Sequence, residues 1–506
     1  MMQSGLLTWT SLLPVLIIFS SMIPGLLIFA TPEKSVKRRT ALNLGGITIK
    51  LCLVALMLAG VSQGLEFRFV LTFLPGADLV LQGDALSLQF ITLSSVLWLA
   101  TTVYAIGYLE GSPLRSRFFG YFSLCVSATV GIALAGNLIT FLLFYELLTL
   151  ATFPLVVHRG TPQALSAGRI YLAYTLGGGT LVLMGVALLH SQIGTPEFTP
   201  GGYLGGFSPD MTVSLVVAFV LLIAGLGVKA ALMPLHSWLP KAMVAPAPVS
   251  ALLHAVAVVK AGAFGIIRVV YDVYGIEASQ SLGLTQPLLW LASATIIYGS
   301  VQALRQREIK RRLAFSTISQ VSYITLGVAM AGPIAAVGAI VHLVHQGLMK
   351  ITLFFCAGNF AETLGIHTVQ EMDGVGRRMP WTMATFTVGA LGMIGIPPVA
   401  GFISKWYLGM GAMESGNDWV LLILIGSSLL NAAYFLPLLY RGWFAAAPHG
   451  GWAENNFTNR RLETHWMLLL PPLLTALLSL LAGIFAGSVI SPLGWTEFIV
   501  SREFSP

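Results

Sequence analysis

Charged residues are scarce in this sequence. Only 9% of its 506 residues are Asp, Glu, Lys or Arg, 56% are hydrophobic, and the mean hydropathy is +0.83. Soluble domains carry about 25% charged residues, so the composition excludes a water-soluble protein. A membrane-spanning helix needs about 20 apolar residues. The chain is therefore predicted to lie almost wholly within a membrane, with no large domain outside it.

Cysteine is also nearly absent, and it never occurs in a ligand pattern. Cys52, Cys125 and Cys356 each stand alone in an apolar stretch, so neither an iron–sulfur cluster nor a zinc site is predicted. There is no dinucleotide-binding motif and no nucleophile–base set. We expect no cofactor, no metal and no catalytic site in this chain, which leaves open whether it is a translocase subunit of a redox-driven complex.

Basic residues exceed acidic ones, 27 to 20, but they do not indicate a nucleic-acid partner. They lie in short loops between apolar runs, whereas nucleic-acid binding needs a basic cluster on a soluble face. The excess instead predicts membrane topology and contact with anionic lipid. The first apolar run lacks a basic region before it and a small-residue cleavage site, so it is predicted to be a retained helix.

The apolar runs predict an all-α protein with fourteen transmembrane helices. With the N-terminus outside, most basic residues fall in inner loops, among them Lys34, Lys37, Arg38, Arg39, Arg460 and Arg461. The opposite face keeps only Arg68 and Arg502. Positive charge favours the cytoplasmic side. We therefore expect a multi-pass protein of the bacterial inner membrane with both termini on the outer side.

Two spans, the seventh and the twelfth, are predicted to be interrupted near the middle of the membrane. The breaking residues are Gly225, Gly227 and Pro234 around Lys229, and Pro397 and Pro398 before Lys405. Glycine weakens a helix and proline removes a backbone donor, and broken membrane helices line the ion sites of transporters. The eleventh run is too long for a simple span and is also expected to contain a break.

The two interruptions are five helices apart, so the segments that carry them run in opposite directions. This offset predicts two inverted five-helix repeats. We expect a single membrane domain over residues 1–506, with helices one to three at about 1–110 and a last helix at about 466–489. Repeat one is placed at about 117–272 and repeat two at about 286–441.

Six basic residues and one acid fall inside the predicted spans: Lys50, Lys229, Lys260, Arg268, Lys350, Lys405 and Glu146. Ionisable groups at membrane depth are costly and mark polar pathways. Lys229 is the natural partner of Glu146, and the alternative is a static ion pair that only fixes packing. Arg268 is expected to snorkel to the outer end of its helix. Lys50 is expected to face a neighbouring subunit or a polar groove.

Three histidines accompany these lysines. His254 is six residues before Lys260, about 240° away around an ideal helix. A proton relay and an ordinary hydrogen-bonded core histidine are equally consistent with its position. His342 and His345 are three residues apart and share a face that leads to Lys350. Because histidine titrates near neutral pH, this face suits a proton relay, and His345 is preferred over His342.

Several long motifs resemble one family over nearly the whole chain. They are FYELLTL, VKAALMPLHSWLPKAMVAPAPVSALLHAVAVVKAGAFGIIR, KRRLAFSTISQVSYITLG, HLVHQGLMKITLFFCAGN and GIPPVAGFISKWYLG. They resemble the antiporter-like subunits of respiratory complex I, Mrp cation/proton antiporters and membrane-bound hydrogenases. The segment GFISKWYLGMGAMESG is most similar to the D-type Mrp subunit and its hydrogenase counterpart. The M-type subunit of complex I has glutamate where this chain has Lys405.

The resemblance implies a role for each site residue. Glu146 and Lys229 look like the family's coupled pair, Lys260 like its central lysine, and Lys405 like its exit-side residue. His254, His345 and Lys350 align with its polar axis. The resemblance also implies that other membrane subunits are partners.

The leading prediction is a proton-translocating subunit of a multisubunit membrane complex, most similar to the D-type Mrp subunit. The alternatives are a pump module of a complex I-like oxidoreductase or hydrogenase, the membrane partner of an inorganic-carbon uptake system, and a structural spacer. Sodium sites need several oxygen ligands, whereas the spans hold one acid among five lysines. We therefore expect protons to move through this chain, and sodium only through partner subunits.

Overall fold

A computed structural model describes residues 8–74, 77–205, 208–448, 451–452 and 463–504. Three residues used in the topology prediction lie outside the described residues: Leu6, Arg460 and Arg461. The described part of the chain is mostly α-helical. Eleven of its helical segments are long and apolar enough to cross a membrane. The polytopic membrane character that the composition predicts is therefore confirmed.

The N-terminal part consists of three long helices and a hairpin. The helices are α1 (Trp9–Phe29), α2 (Val36–Ser62) and α3 (Ala85–Tyr108), and the antiparallel strands are β1 (Phe67–Leu74) and β2 (Ala77–Gly83). Phe67 pairs with Gly83 at the open end of the hairpin. The all-α prediction is wrong here, because the alternating segment that follows Glu66 suits a strand better than a helix. Asp84 then caps α3 by accepting a hydrogen bond from the Ser87 amide at 2.7 Å.

The next four helices are α4 (Arg115–Ala133), α5 (Leu138–Val156), α6 (Pro162–Ile193) and α7 (Thr212–Ala230). Side chains with good capping chemistry fix the starts of two of them. Asn137 accepts a hydrogen bond from the Thr140 amide at 2.8 Å, and Thr161 accepts one from the Ala164 amide at 3.2 Å. These caps satisfy backbone donors that would otherwise have no partner at a helix start.

A deeply buried span follows and changes helix type along its length. After α8 (Trp238–Lys241) it comprises α9 (Ala247–Ala251), a π-helical segment Leu252–Val256, α10 (Val258–Arg268), a second π-helical segment Val269–Tyr274 and α11 (Gly275–Ser281). Its most apolar stretch is entirely buried. It therefore forms the centre of the molecule together with the long helix described next.

The middle of the chain comprises α12 (Thr285–Arg305), α13 (Ile309–Ala329) and α14 (Pro333–Leu364). α14 is a continuous helix of 32 residues, so the predicted break in the eleventh span is wrong. Gly347, in the middle of this helix, lies where a Cβ atom would come within 3.2 Å of the Ala255 carbonyl oxygen. The glycine thus allows close packing against the central span rather than interrupting the helix.

The C-terminal part begins with the short α15 (Val375–Arg378), followed by α16 (Pro380–Ile394) and α17 (Ala400–Glu414). Pro397 and Pro398 lie in the non-helical connection between the last two. The long helices α18 (Val420–Phe444) and α19 (Trp466–Ile484) follow, and α20 (Pro492–Glu503) is the last element described. The Trp495 indole of α20 donates a hydrogen bond of 2.9 Å to the Ala85 carbonyl, which ties this helix to the start of α3.

Candidate functional site

The end of α7 places Lys229 inside the protein. Lys229 is completely buried, one residue before the helix ends, and Ala231 takes a left-handed conformation. Pro234 follows in the non-helical stretch that leads to α8. The Trp238 indole donates to the Val228 carbonyl at 2.7 Å and satisfies one of the free carbonyl groups of the helix end.

Gly225 and Gly227 do not break the helix, contrary to the sequence prediction, because both lie within α7. Gly225 instead lets α7 approach α6 closely: a Cβ atom there would lie 2.5 Å from the Gly178 carbonyl oxygen. Membrane helices commonly use glycine in this way, because small residues allow two backbones to pack together. The interruption itself comes at Ala231 and Pro234.

Tyr145 of α5 holds Lys229 in place. The Lys229 ammonium donates a hydrogen bond to the Tyr145 carbonyl and lies 3.3 Å from the centroid of the Tyr145 ring. The Tyr145 hydroxyl donates to the Gly225 carbonyl at 3.0 Å. Tyr145 therefore joins α5 to α7 through both its backbone carbonyl and its side-chain hydroxyl. The sequence alone indicates no role for it.

Glu146, the next residue along α5, is half-buried and faces α6. Its Oε1 atom is buried and has no hydrogen-bond partner within the described ranges. A Cβ atom on Gly179 would overlap this same oxygen. Glu146 and Lys229 interact electrostatically, but no ion pair joins them in the described part of the chain. The two members of the pair predicted from sequence thus lie near each other, but their charged groups are not in contact.

Lys260 links the central span to α14. It is completely buried, and its ammonium donates to the Leu343 carbonyl at 2.7 Å. His254 lies in the first π-helical segment, where its ring packs 4.5 Å from the Phe354 ring, centroid to centroid. Neither ring nitrogen of His254 has a partner among the residues described. His254 is therefore a buried histidine with free hydrogen-bonding capacity.

α14 carries His342, His345 and Lys350, all completely buried. The His342 ring is hydrogen-bonded on both sides, Nδ1 to the Ser404 hydroxyl at 2.8 Å and Nε2 to the Gln320 carbonyl at 3.1 Å. Neither ring nitrogen of His345 has a hydrogen-bond partner at close range among the described residues. His342, which sequence reasoning ranked second, is thus the histidine bonded to the neighbour of Lys405.

Lys350 and Lys405 contact different helices, α13 and the end of α16. Lys350 donates to the Ser316 hydroxyl, and to the Leu313 carbonyl at 3.3 Å. Lys405 donates to the Met393 and Ile394 carbonyls at 3.0 and 2.8 Å. The two carbonyls end α16, where the helix dipole favours a cation. The break at Pro397 and Pro398 therefore leaves free carbonyl groups that the lysine satisfies.

The comparisons with known proteins show the family of this chain. Residues 135–431 match the family described as NADH:quinone oxidoreductase/Mrp antiporter, transmembrane. The chain belongs to this antiporter-like family. It is 35% identical over 441 residues to an NADH-quinone oxidoreductase subunit N of Desulforudis audaxviator, covering 85% of this chain and 87% of that protein. It is 28% identical to the D-type subunit of a Na(+)/H(+) antiporter of Bacillus subtilis, covering 94% and 93%.

A solved structure supports the same fold. The Mrp complex from Dietzia sp. contains a chain that matches this antiporter-like protein with a TM-score of 0.84 at 23% identity, over 99% of this chain and 98% of that one. These relatives are named as subunits, and the structure is that of a complex. Membership of an antiporter-like family of multisubunit membrane complexes, expected from the motifs, is thereby confirmed.

Several polar residues of this antiporter-like chain were missed in the sequence. The Tyr434 hydroxyl donates to the Asn431 side-chain oxygen at 2.5 Å, and the Tyr323 hydroxyl is bonded to Ser427. Lys405 also donates to Ser428 at 2.9 Å. A single tyrosine or serine in an apolar run does not reveal its partner. Four such residues lie close together on one helix, α18, and this clustering could have been noticed: Ser427, Ser428, Asn431 and Tyr434.

Arg268 does not snorkel, contrary to the prediction. It is 2% exposed and pairs with Asp84 at 2.7 Å and with Asp272 at 2.8 Å. Asp272 lies in the second π-helical segment and is itself buried. Glu146 is therefore not the only acid within a span, because Asp272 belongs to the helical span that runs from Ala247 to Ser281. The Arg268 pairs join α10 to the start of α3.

Glu503 of α20 lies beside this cluster. Its carboxylate accepts a hydrogen bond of 3.3 Å from the Gly201 amide. Burial, and then the nearby Asp272 carboxylate, raise the pKa of Glu503 well above its ordinary value. Within the described ranges no group of three or more His, Cys, Asp or Glu side chains is arranged to hold a metal ion.

Proposed function

We propose that this chain is a proton-translocating subunit of a multisubunit bacterial inner-membrane complex. The observation that carries the proposal is the set of buried and half-buried protonatable groups inside the bundle: Glu146, Lys229, His254, Lys260, His345, Lys350 and Lys405. Lys260 is an electrostatic neighbour of both His345 and Lys350. Ionisable groups are rare at membrane depth and mark ion pathways.

The first half works as a switch in this proposal. A carboxylate near a buried amine stabilises the ammonium form, and its withdrawal favours release of the proton. Glu146 lies beside Lys229 without an ion pair, so a small movement of its side chain changes their separation. Tyr145 keeps Lys229 fixed during this movement. Lys229 would then alternate between holding and releasing its proton.

The second half carries the released proton onward. From Lys229 it passes to Lys260, then along α14 by His345 and Lys350, and leaves at Lys405. His254 supplies a lateral relay from the π-helical segment. We add His342, because its ring bonds Ser404, the residue before Lys405. Helix ends at Ala230 and Ile394 supply free backbone groups next to Lys229 and Lys405.

We propose that the chain crosses the membrane fourteen times. The helices α4 and α13 and the interrupted pair α16–α17 add three crossings to the eleven apolar candidates. The inverted repeats would cover about 117–272 and 286–441, with helices one to three at about 1–110, the last helix at about 466–489 and both termini on the outer side. The basic residues of the inner loops support this orientation.

Our first assignment of the complex is an Mrp-type cation/proton antiporter, in which this chain is the D-type subunit. The 35% identity to a subunit N of NADH-quinone oxidoreductase supports a complex I-like pump, or its hydrogenase counterpart, equally well. An inorganic-carbon uptake complex is the third candidate. In each case the chain moves protons, sodium is left to partner subunits, and lipid surrounds the bundle.

The test is transport by the assembled complex. The chain and the subunits encoded beside it are expressed together, and proton movement is followed by pH-sensitive fluorescence quenching in everted vesicles. Transport driven by a sodium gradient would indicate the antiporter, transport driven by NADH the complex I-like pump, and transport driven by hydrogen the hydrogenase counterpart. Loss of quenching on Glu146→Gln with normal assembly is expected. Normal quenching by that variant under every driving force would refute the pathway.

A further inference from the structure

Lys50 is a buried lysine that the proposed pathway does not use. It lies midway along α2 and is completely buried, so of the two surroundings expected from the sequence, a neighbouring subunit or a polar groove, the first is excluded. Its ammonium donates to the Ser21 hydroxyl at 2.5 Å and lies 4.9 Å from the Trp98 ring centroid. No ion pair forms with Lys50 in the described part of the chain. An ammonium without a counterion is costly at this depth, so its surroundings need explanation.

A chain of hydrogen bonds leads away from Lys50 between α1, α2 and α4. The Ser21 and Ser127 hydroxyls are 2.8 Å apart, and Ser127 donates to the Ser123 carbonyl at 2.9 Å. The Ser123 hydroxyl then meets the Asn43 side-chain oxygen at 3.4 Å. Three serines thus connect Lys50 to Asn43, which is about two turns nearer the start of α2.

The same row of polar groups continues to the surface. The Arg39 guanidinium, 2% exposed, donates to the Ser116 hydroxyl at 3.0 Å and to the Glu33 carbonyl at 3.3 Å. Glu33 itself is exposed and accepts a hydrogen bond from the Ser116 amide at 2.9 Å. Arg39, Asn43, Lys50, Ser21, Ser116, Ser123 and Ser127 are together called the Lys50 seam.

The two long helices of the Lys50 seam carry matching polar faces. Arg39, Asn43 and Lys50 are four and seven residues apart on α2, a spacing that keeps them on one face. Ser116, Ser123 and Ser127 are seven and four residues apart on α4. Beyond Lys50 the same face of α2 becomes apolar, because Val54 and Met57 are buried there. The polar face of α2 therefore runs from Arg39 to Lys50 and ends there, with exposed Glu33 next to Arg39.

Two buried polar groups beside the seam lack protein partners. The Asn43 side-chain nitrogen and the Trp98 indole nitrogen have no hydrogen-bond partner among the described residues. Buried polar groups are almost always bonded to protein or to ordered water. Asn43 lies between Arg39 and Lys50 on α2, and the Trp98 ring lies beside the Lys50 ammonium, so water bonded to these two groups would lie between the Arg39 end and the ammonium.

We propose that the Lys50 seam is a water-filled half-channel in which Lys50 binds a proton from the Arg39 face of the membrane. A hydronium ion gives its proton to the neutral amine and leaves as water. The groups that face Lys50 are the hydroxyls of Ser21 and Ser127 and the Trp98 ring, and the charged groups of the mouth are Arg39, Glu33 and Arg115. This site goes beyond the proposed pathway and does not depend on it.

Cysteine accessibility in the assembled complex tests the half-channel. Cys52, Cys125 and Cys356 are first replaced by serine, and Asn43→Cys, Ser123→Cys and Val54→Cys are made singly. The anionic, membrane-impermeant reagent 2-sulfonatoethyl methanethiosulfonate is added to one side of the vesicles at a time. Ile49→Cys is the lipid-facing control, because Ile49 is 55% exposed.

The expected result is one-sided. Asn43→Cys and Ser123→Cys should react on the order of ten-fold faster than Val54→Cys, from the Arg39 face alone. Ile49→Cys should not react. Equal rates at Asn43→Cys and Val54→Cys would overturn the half-channel, because the seam would then be as dry as the apolar face beyond Lys50.

The pH dependence of a second thiol tests proton binding. A cysteine at Ser127 is one hydroxyl away from Lys50, and a charged ammonium there would favour its reactive thiolate. The labelling rate of Ser127→Cys against pH should show an extra step that Lys50→Met removes. Superimposable profiles would show that Lys50 keeps one charge state and would overturn the proton site. Lys50→Gln, which keeps a donor toward Ser21, serves the same comparison if the methionine variant does not assemble.

Discussion

Lys405 and Asn431 donate to the same acceptor. The Lys405 ammonium and the Asn431 amide each lie 3.0 Å from the Met393 carbonyl oxygen at the end of α16. Tyr434 holds the other side of the Asn431 amide. The acceptor that positions the lysine is thus itself fixed by α18, so the geometry around Lys405 depends on residues from three helices.

This geometry gives the first prediction. Lys405→Arg should reduce proton transport by about ten-fold or more, about 1.4 kcal/mol in the barrier, because arginine does not deprotonate at any physiological pH. Lys405→Ala should be no worse, and Lys405→Glu should keep some activity. Fluorescence quenching in everted vesicles, with expression matched by blot, measures all three. Wild-type transport by Lys405→Arg would make Lys405 an electrostatic fixture.

The second prediction concerns Glu146 and Lys229 as one unit. Glu146→Gln keeps the side-chain volume and removes the charge, so transport should fall to background while the protein still assembles. Lys229→Ala should be equally damaging. Because the two groups act as one unit in the proposed switch, the double variant should cost about as much as either single one. Additive losses in the same quenching assay would instead indicate two independent roles.

The third prediction uses the glycines of α6. Gly179→Ala should displace the Glu146 carboxylate, because its Cβ atom would overlap Oε1, and we expect transport to fall about ten-fold. Gly177→Ala is the matched control, because a Cβ atom there meets nothing within 4 Å. Assembly of both variants is checked by native gel. Equal transport by the two would show that the position of Glu146 against α6 does not matter.

The fourth prediction concerns the pH dependence of stability at α20. Burial and Asp272 raise the pKa of Glu503, so the folded state holds this proton more tightly than the unfolded state. Stability from this group is therefore highest below its ordinary pKa and falls as the pH rises toward the raised value. Glu503→Gln should reduce the drop in thermal midpoint between about pH 5 and about pH 8 by about 1 to 2 °C.

Glu277→Gln is the control for this measurement, because Glu277 is exposed on the neighbouring α11. It should leave the pH dependence of the thermal midpoint unchanged. A Glu503→Gln midpoint that falls with pH as steeply as the wild-type one would contradict a raised pKa at this carboxyl.

Hydropathy predicted the polytopic membrane character, because it follows directly from single residues. The same applies to the buried lysines and Glu146, which stand out against apolar neighbours. Contacts between distant segments were out of reach. Nothing in the sequence around Arg268 indicates that Asp84, nearly two hundred residues earlier, lies 2.7 Å away.

The structural role of glycine was the hardest to predict from the sequence. Gly225 was predicted to break its helix, and Gly347 belongs to a span in which a break was expected. Both lie inside continuous helices where a neighbouring backbone comes close. A flexible backbone and a close contact between two helices both require glycine, so the sequence does not distinguish the two roles. The partners of Lys50 were out of reach for a similar reason, because the hydroxyls that surround it come from helices whose packing the sequence does not give.

The π-helical turns around α10 affect how this span must be mutated. A π turn holds one residue more than an α turn, since its hydrogen bonds reach five residues instead of four. The residues before Val258 and those after it therefore belong to two differently phased helical wheels. A single wheel drawn over the whole span misaligns His254 with Lys260. Shortening Leu252–Val256 by one residue would convert the wide turn into an ordinary one and rotate His254 against a fixed Lys260, so a length variant can reset this pair without changing either side chain.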